Sequence, residues 1–244
     1  MEALKIPFEF ETRPAIRFVL VQSPDVSELI ILCHHMICDG MSLAYLARDL
    51  MVDLGNPAAS VDVLPVPEPI TQENLPGDVA LSGLIKYFIN RIRRKWNDEI
   101  VTFDQADYEE LNKAYWDNYD HEILPIELSE VETKALVNRC KKENVTVNTA
   151  IIAAFSAAQN FVVGEKPHHA QAAIAVSLRD RLPHPPGEGM GYYALGLQLK
   201  FKYNRKKSFW DNARNYHKKI TSNLSNKKVF CDLPAFLQMY SNIY

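Results

Sequence analysis

Two adjacent histidines, followed by an aspartate and a glycine, are the residues best suited to chemistry in this 244-residue sequence. They lie in the segment His34-His35-Met36-Ile37-Cys38-Asp39-Gly40. A histidine has an ordinary pKa of about 6.5, so a neutral imidazole can accept a proton near neutral pH. Side chains alternate along a strand, so only one of the two histidines can face a given cleft. The pattern predicts that one of them is a general base.

Asp39 and Gly40 follow the histidines and have different predicted roles. A carboxylate buried without a partner is costly, so we expect Asp39 to fold back, fix the turn and pair with a cation elsewhere. We expect Gly40 to adopt a backbone φ that other residues do not tolerate and to allow a close approach of substrate or backbone. The N-terminus of the following helix would favour a developing negative charge at the same place.

Two other interpretations of the motif are possible. The histidines could be polar residues that merely close a strand, but a pair followed by Asp-Gly, between a buried strand and a helix, favours the catalytic interpretation. A metal site would use Cys33, His34, His35, Cys38 and Asp39. Alternation places those side chains on opposite faces and no second ligand pair completes the site, so we expect no metal.

A strand pair and a helix are predicted to position the motif. Residues 15–21 and 28–35 read as strands separated by the turn Ser23-Pro24-Asp25. The second strand is apolar on both faces, which predicts cover on both sides. A helix is expected from about Ser42. Its apolar residues at helical spacing are Leu43, Leu46, Ala47, Leu50 and Leu54.

The remaining sequence predicts a connector and a second unit. Four prolines within residues 63–77 indicate an extended connector rather than a packed element. Residues 108–121 are aromatic and acidic, and we expect an irregular crossing between lobes. A capping box at Ser129 and Glu132 predicts a helix start. The other predicted elements are helices over 81–100, 146–163 and 208–223, strands over 172–178 and 193–201, and a loop over 179–191.

Composition excludes several classes of protein. The net charge of −3 provides no basic field for nucleic acid. The longest apolar runs, residues 29–33 and 150–155, are too short to span a bilayer, and no signal peptide is evident. Four cysteines without a CxxC pair favour a reducing cytoplasm over a disulfide framework.

The motif and its flanks resemble the condensation-domain superfamily. Residues 32–42 are similar to its HHxxxDG signature, which peptide-synthetase condensation domains, polyketide-associated acyltransferases and alcohol O-acetyltransferases share. Pro7-Phe8-Glu9-Phe10 with Pro14-Ala15-Ile16-Arg17 is similar to the lead-in to that strand. Ala175-Val176-Ser177-Leu178-Arg179 followed by Gly189-Met190-Gly191-Tyr192 is similar to the strand, loop and glycine turn of the second lobe. Only the first of these motifs is specific.

The resemblance implies an α/β fold of two chloramphenicol-acetyltransferase-like lobes, each a mixed sheet flanked by helices, with a tunnel between them. Residues 1–123 would be the latter part of the N-terminal lobe with the connector, and residues 124–244 the first part of the C-terminal lobe. Relatives of this superfamily are usually much longer. We therefore expect a fragment, a split protein or an abridged form that self-associates or is completed by a second polypeptide.

The same resemblance implies roles for the site residues. His35 would be the catalytic base, Asp39 the structural acid and Gly40 the close-approach glycine. Arg179 would be the cation that pairs with Asp39, with Arg181 as the second candidate. The resemblance does not name the residues that bind substrate.

The implied activity is acyl transfer from a pantetheine thioester, on CoA or a carrier protein, to the hydroxyl or amine of a small-molecule acceptor. Peptide-bond condensation in nonribosomal peptide synthesis is one form of this reaction. Acyl-CoA or acyl-phosphopantetheine would be a co-substrate, and no bound cofactor is expected. The alternatives are a non-catalytic module or inactive fragment that docks a carrier protein or partner enzyme, and a small-molecule binding protein of the same fold.

Overall fold

The computed structural model describes residues 2–56, 63–79, 83–96, 104–164, 171–234 and 237. Helices and small antiparallel sheets alternate along this chain, which confirms the α/β class. The elements are α1 (Glu2–Lys5), β1 (Ile16–Gln22), β2 (Ser27–Cys33), α2 (Gly40–Gly55), α3 (Gly83–Trp96), α4 (Gln105–Asn118), α5 (Glu130–Lys142), α6 (Val147–Val163), β3 (Gln171–Ser177), β4 (Ala194–Lys200), α7 (Phe209–Thr221) and α8 (Asn226–Val229).

Strands β1 and β2 form the predicted hairpin ahead of the histidines. Residues opposite each other in an antiparallel pair share a face of the sheet. One face is therefore apolar over most of its length, and we call it the apolar hairpin face. Its residues are Ile16, Phe18, Leu20, Leu29, Ile31 and Cys33.

The cover predicted for both faces of β2 is incomplete in the described part of the chain. Leu29 on the apolar hairpin face and Ile30 on the other face are 37% and 43% exposed, whereas residues 31–33 are partly buried. The prediction was wrong here because each described sheet contains only one antiparallel strand pair. A mixed sheet would need further strands at its edges.

The N-terminal segment and α4 cover the histidine end of the hairpin. The Arg17 guanidinium donates hydrogen bonds to the carbonyls of Ala3, Ile6 and Pro7. The Gln105 side chain of α4 donates to the Phe8 carbonyl and accepts from the Phe10 N–H. These contacts hold the segment around Phe8 and Phe10 beside the end of β2.

The second lobe contains most of the buried apolar side chains. Strands β3 and β4 pair from Gln171–Lys200 to Ser177–Ala194, and α5, α6 and α7 cover them. A second cluster joins Leu178, Tyr193 and Phe230 to Leu75 of the connector. The described part of the connector contains no helix or strand, but Leu75 packs it onto the second lobe, where an unpacked segment was predicted.

Residues 108–121 do not form the irregular crossing that the sequence suggested, because α4 occupies Gln105–Asn118. Asp104 and Asp107 form a reciprocal capping box that satisfies the first N–H groups of the helix. None of its residues is buried, so packing against a core is not what stabilises this helix.

No single helix in the described ranges is long and apolar enough to cross a membrane. Helices α5 and α6 together meet the length and composition requirement, but the chain bends by 96° between them.

Candidate active site

The two histidine rings lie in different surroundings. Strand β2 ends at Cys33, and a turn follows in which the Ile37 N–H donates to the His34 carbonyl at 3.1 Å. The His34 ring packs edge-on against Phe10, with 5.0 Å between ring centroids. The exposed His35 ring packs edge-on against Tyr192 of the second lobe, at 5.1 Å. The two rings therefore face different neighbours as predicted, but the turn that follows β2, rather than alternation along a strand, separates them.

Hydrogen bonds give the two neutral rings opposite tautomers. The His34 Nδ1 accepts a hydrogen bond from the Met36 N–H at 3.2 Å, so this nitrogen carries a lone pair. The His35 Nδ1 lies 2.9 Å from the Cys38 carbonyl oxygen. A carbonyl only accepts, so Nδ1 of His35 carries the hydrogen and Nε2 carries the lone pair. His35 thus has the tautomer required of a base that acts through Nε2.

The electrostatics of His34 suit a neutral structural residue. Partial burial and the neighbouring His35 both lower the pKa of His34 below its usual value of 6.5. Protonation would also place a hydrogen on the Nδ1 atom that accepts from Met36. The surroundings of His34 therefore favour its unprotonated form.

Asp39 lies at the centre of a buried hydrogen-bond network between the lobes. Its Oδ1 accepts from the Ser42 N–H at 2.7 Å and the Ser42 hydroxyl at 2.9 Å, which caps α2. The Arg179 guanidinium reaches the same oxygen at 3.2 Å, and both side chains are almost fully buried. The Tyr193 N–H donates to Oδ2 at 3.0 Å. Asp39 therefore links the start of α2 to residues 140 and 154 positions later in the sequence.

Burial alone would raise the pKa of Asp39. Hydrogen bonds from the backbone and hydroxyl of Ser42, the backbone of Tyr193 and the guanidinium of Arg179 outweigh this effect. The pKa of Asp39 is therefore lower than its usual 3.8, and the side chain is an ionised partner rather than an acid at neutral pH.

Arg179, rather than the second candidate Arg181, contacts Asp39. Its Nη1 donates to the carbonyls of Gly187 and Gly189 at 2.7 and 2.9 Å. Its Nε has no hydrogen-bond partner among the described residues, and the guanidinium lies 4.8 Å from the Tyr193 ring centre. Arg181 instead donates to the Leu224 carbonyl, away from the motif.

Gly189 and Gly191, rather than Gly40, are the glycines at which another group packs closely against the backbone. Gly40 has no left-handed φ, and a Cβ at that position would meet no atom within 4 Å, so our conformational argument for it was wrong. A Cβ on Gly191 would lie 2.4 Å from the Tyr193 ring, and one on Gly189 would lie 2.7 Å from Pro67. The tight packing therefore occurs in the loop of the second lobe.

The buried thiol beside the motif is a poor nucleophile. Burial, a hydrogen bond to the Cys33 thiol and the nearby Asp39 raise the pKa of Cys38 to about 12. A thiolate is the reactive form of cysteine, so Cys38 is not available for covalent catalysis near neutral pH. In the described part of the chain, no group of three or more His, Cys, Asp or Glu side chains is placed to hold a metal ion.

An apolar cavity of about 530 Å³ opens beside His35. Its lining includes Met36, the residue after His35, and Tyr192, which packs on the His35 ring. Ile70 of the connector, Leu178 and Leu195 contribute further apolar surface. The sequence did not identify these residues as the lining of a cavity.

The sequence also did not identify Ser42 as a partner of Asp39. Its position three residues after Asp39 is a recognisable signal, because the backbone N–H at that position is the one that a helix N-cap binds.

Comparisons with known proteins agree on a family and a fold. The model of the alcohol acetyltransferase family matches residues 1–244. No curated protein sequence gives a significant match. The EpoB NRPS cyclization-docking bidomain from Sorangium cellulosum is similar in structure, with a TM-score of 0.53 and 16% identity; the match covers 95% of this chain and 48% of that one.

Two further solved structures have the same fold. SgcC5 protein from Streptomyces globisporus has a TM-score of 0.52 and 15% identity, covering 98% of this chain and 52% of its own. The first condensation domain of the calcium-dependent antibiotic synthetase has a TM-score of 0.51 and 12% identity, covering 88% and 47%. The chain therefore spans about half the length of these structures.

Proposed function

The chain belongs to the alcohol acetyltransferase family, and from this premise we propose that it transfers an acyl group from a pantetheine thioester to a small acceptor, with His35 as the general base. The observation that carries the proposal is the hydrogen bond between the His35 Nδ1 and the Cys38 carbonyl. It leaves the Nε2 lone pair on an exposed ring, whose neighbours Met36 and Tyr192 line an apolar cavity. These are the requirements for removing a proton from a bound hydroxyl or amine.

In the proposed reaction, Nε2 of His35 takes the proton of the acceptor as its oxygen or nitrogen attacks the thioester carbonyl carbon. The carbon–sulfur bond of the tetrahedral intermediate then breaks. The departing sulfur takes the proton from the His35 imidazolium, so an ester or amide and a free thiol are formed. The N-terminus of α2, which begins at Gly40, would stabilise the negative oxygen of the intermediate.

The remaining site residues would position the reactants. Asp39 and Arg179 would hold α2 and the second-lobe loop together and would not touch the reacting atoms. The apolar cavity beside Tyr192 would bind the apolar part of a substrate. A thioester is already activated, so the alignment of two substrates would supply most of the acceleration. The co-substrate would be acyl-CoA or an acyl-phosphopantetheine on a carrier protein, with no bound cofactor.

A non-catalytic module that docks a carrier protein or partner enzyme is the second candidate. Two observations favour it: the chain spans about half the length of the similar structures, and the first lobe leaves its apolar hairpin face exposed. Such a module would bind a thioester or its carrier without turnover.

Purified protein mixed with acetyl-CoA and a panel of primary alcohols would separate the two candidates. If the protein is an acyltransferase, thiol release should depend on the alcohol and on His35, and mass spectrometry should detect the matching ester. His121→Ala is a suitable control because it removes another exposed histidine from a distant part of the chain. Binding of acetyl-CoA by calorimetry, without ester formation from any alcohol, would favour the docking module.

A further inference from the structure

Tyr192 makes a contact with His35 that the HHxxxDG motif does not supply. The two rings meet edge to face, with 5.1 Å between centroids and 86° between planes. This geometry is favourable for aromatic pairs. The other directional contact of the His35 ring among the described residues is the Nδ1 hydrogen bond to Cys38. One hydrogen bond leaves an exposed ring free to pivot, whereas a second contact on the ring restricts it.

The backbone on both sides of Tyr192 is fixed by the residues that follow the histidines. The Gly191 carbonyl accepts from the Asp39 N–H at 3.0 Å, and the Gly191 N–H donates to the Ser42 hydroxyl oxygen at 3.1 Å. The next N–H, that of Tyr193, donates to Asp39 Oδ2. Tyr193 is buried and Tyr192 is 47% exposed, so the Tyr192 ring lies on the outer side of this fixed segment.

We propose that Tyr192 is a positioning residue for His35. It holds the imidazole with Nδ1 on the Cys38 carbonyl and Nε2 free, and so connects the segment fixed by Asp39 to the base through its ring. The inference rests on the proposed role of His35 as the general base. The ring makes the contact, and the hydroxyl of Tyr192 has no part in it.

A purely structural role for Tyr192, as a wall of the apolar cavity, makes a different prediction. Replacing a wall residue would alter the apparent affinity for substrate and leave the imidazole of His35 unchanged. Replacing a positioning residue would change the state of that imidazole even without substrate. The free protein can therefore distinguish the two roles.

The test is ¹⁵N NMR of the imidazole nitrogens in the full chain, with the His35 signals assigned from a His35→Gln variant. Above the pKa of the ring, wild type should show one unprotonated nitrogen, Nε2, and one protonated nitrogen, Nδ1. In Tyr192→Leu the two shifts should move towards each other as the tautomers mix. Tyr192→Phe should match wild type. Tyr87→Leu, which removes a similarly exposed ring from α3, should leave the His35 signals unchanged.

Steady-state kinetics of the same variants provide a second test of the positioning role. Tyr192→Leu should lower kcat about three- to tenfold, the range expected from one aromatic pair, in addition to any change in KM that follows from its place in the cavity wall. Tyr192→Phe should restore wild-type kcat. Unchanged His35 shifts in a folded Tyr192→Leu protein would overturn the positioning role, whatever its activity. Mixed tautomers in a protein whose wild type has no turnover would support the positioning contact and reject the proposed function.

Discussion

The imidazole rings of His34 and His35 carry their hydrogens on different nitrogens, because each forms a hydrogen bond with a different kind of backbone group. His34 accepts from an N–H group, and His35 donates to a carbonyl. In the proposed mechanism, this difference would distinguish the base, His35, from its neighbour. The two hydrogen bonds that create it both lie in the turn that follows β2.

The ionised state of Asp39 should appear in the pH dependence of stability. Its pKa is lowered in the folded protein, so its contribution is fully present above about pH 4 and is lost as pH falls through the lowered value. Asp39→Asn should be less stable than wild type by roughly 3–5 kcal/mol near neutral pH, because Arg179 loses its buried partner. The difference in the free energy of unfolding, measured by denaturant titration, should shrink below about pH 4. Parallel losses by both proteins between pH 5 and pH 3 would contradict this account.

Gly191 should tolerate no side chain, whereas Gly196 should accept one. A Cβ at position 191 would lie 2.4 Å from the Tyr193 ring, and a Cβ at position 196 would meet nothing within 4 Å. Gly191→Ala should lose roughly 1–3 kcal/mol through overpacking. Gly196→Ala should remain close to wild type. Thermal melting of the two variants gives the comparison, and equal melting temperatures would refute the steric argument.

Part of the site was predictable at the residue scale. The two histidines and Asp39 lie together in one short segment, and the resemblance directed attention to Arg179. The contact between Asp39 and Tyr193 uses a backbone N–H, which has no signature in the sequence. The role predicted for Gly40 was wrong for a related reason, because the sequence does not show which side chain will pack against a glycine. The Tyr193 ring packs against Gly191.

At the scale of elements, helix α2 meets the loop between β3 and β4 through one buried and one exposed ion pair. Asp39 and Arg179 form the buried pair, with side-chain exposures of 4% and 6%. Arg48 and Glu188 form the exposed pair, at 2.6 Å. Burial decides how much each pair contributes to the free energy of unfolding, because solvent screens exposed charges.

The two pairs should therefore respond differently to mutation. Arg179→Met should destabilise the protein by roughly 3–5 kcal/mol, because it leaves Asp39 buried without its cation. Glu188→Gln removes a charge from the same interface and should produce no measurable change in the free energy of unfolding. Chemical denaturation of both variants tests this. A larger loss in Glu188→Gln than in Arg179→Met would show that the exposed pair holds the element in place.

Element prediction succeeded where apolar periodicity was strong and failed where other contacts dominated. The hairpin, α2, α5 and α6 follow their predicted ranges closely. Helix α4 was missed because its start depends on the Asp104–Asp107 capping box and it buries no residue. The connector was expected to remain unpacked, but Leu75 and Ile70 pack it onto the second lobe.

At the scale of the whole molecule, the lobes differ in how much apolar surface they bury. The second lobe contains both buried clusters, and only the connector contributes to them from the first 123 residues. The apolar hairpin face remains half exposed. Large exposed apolar surfaces promote association in water.

We therefore expect the 244-residue chain to self-associate or to require a second polypeptide. Leu20→Lys, on the exposed part of the apolar hairpin face, should shift sedimentation towards the monomer. Val63→Lys is the matched control, since Val63 is 97% exposed but lies outside that face. A wild-type chain that sediments as a monomer at all concentrations would remove the basis for this expectation.

The most direct test of the central claim is alcohol-dependent release of free thiol from acetyl-CoA by wild type and His35→Gln. Glutamine retains a donor for the Cys38 carbonyl but has no basic nitrogen, so the fold should be preserved and turnover should fall by about 10²- to 10⁴-fold. His34→Gln, assayed beside it, should lose stability and retain more of its turnover. Equal rates of thiol release by wild type and His35→Gln would show that His35 is not the base.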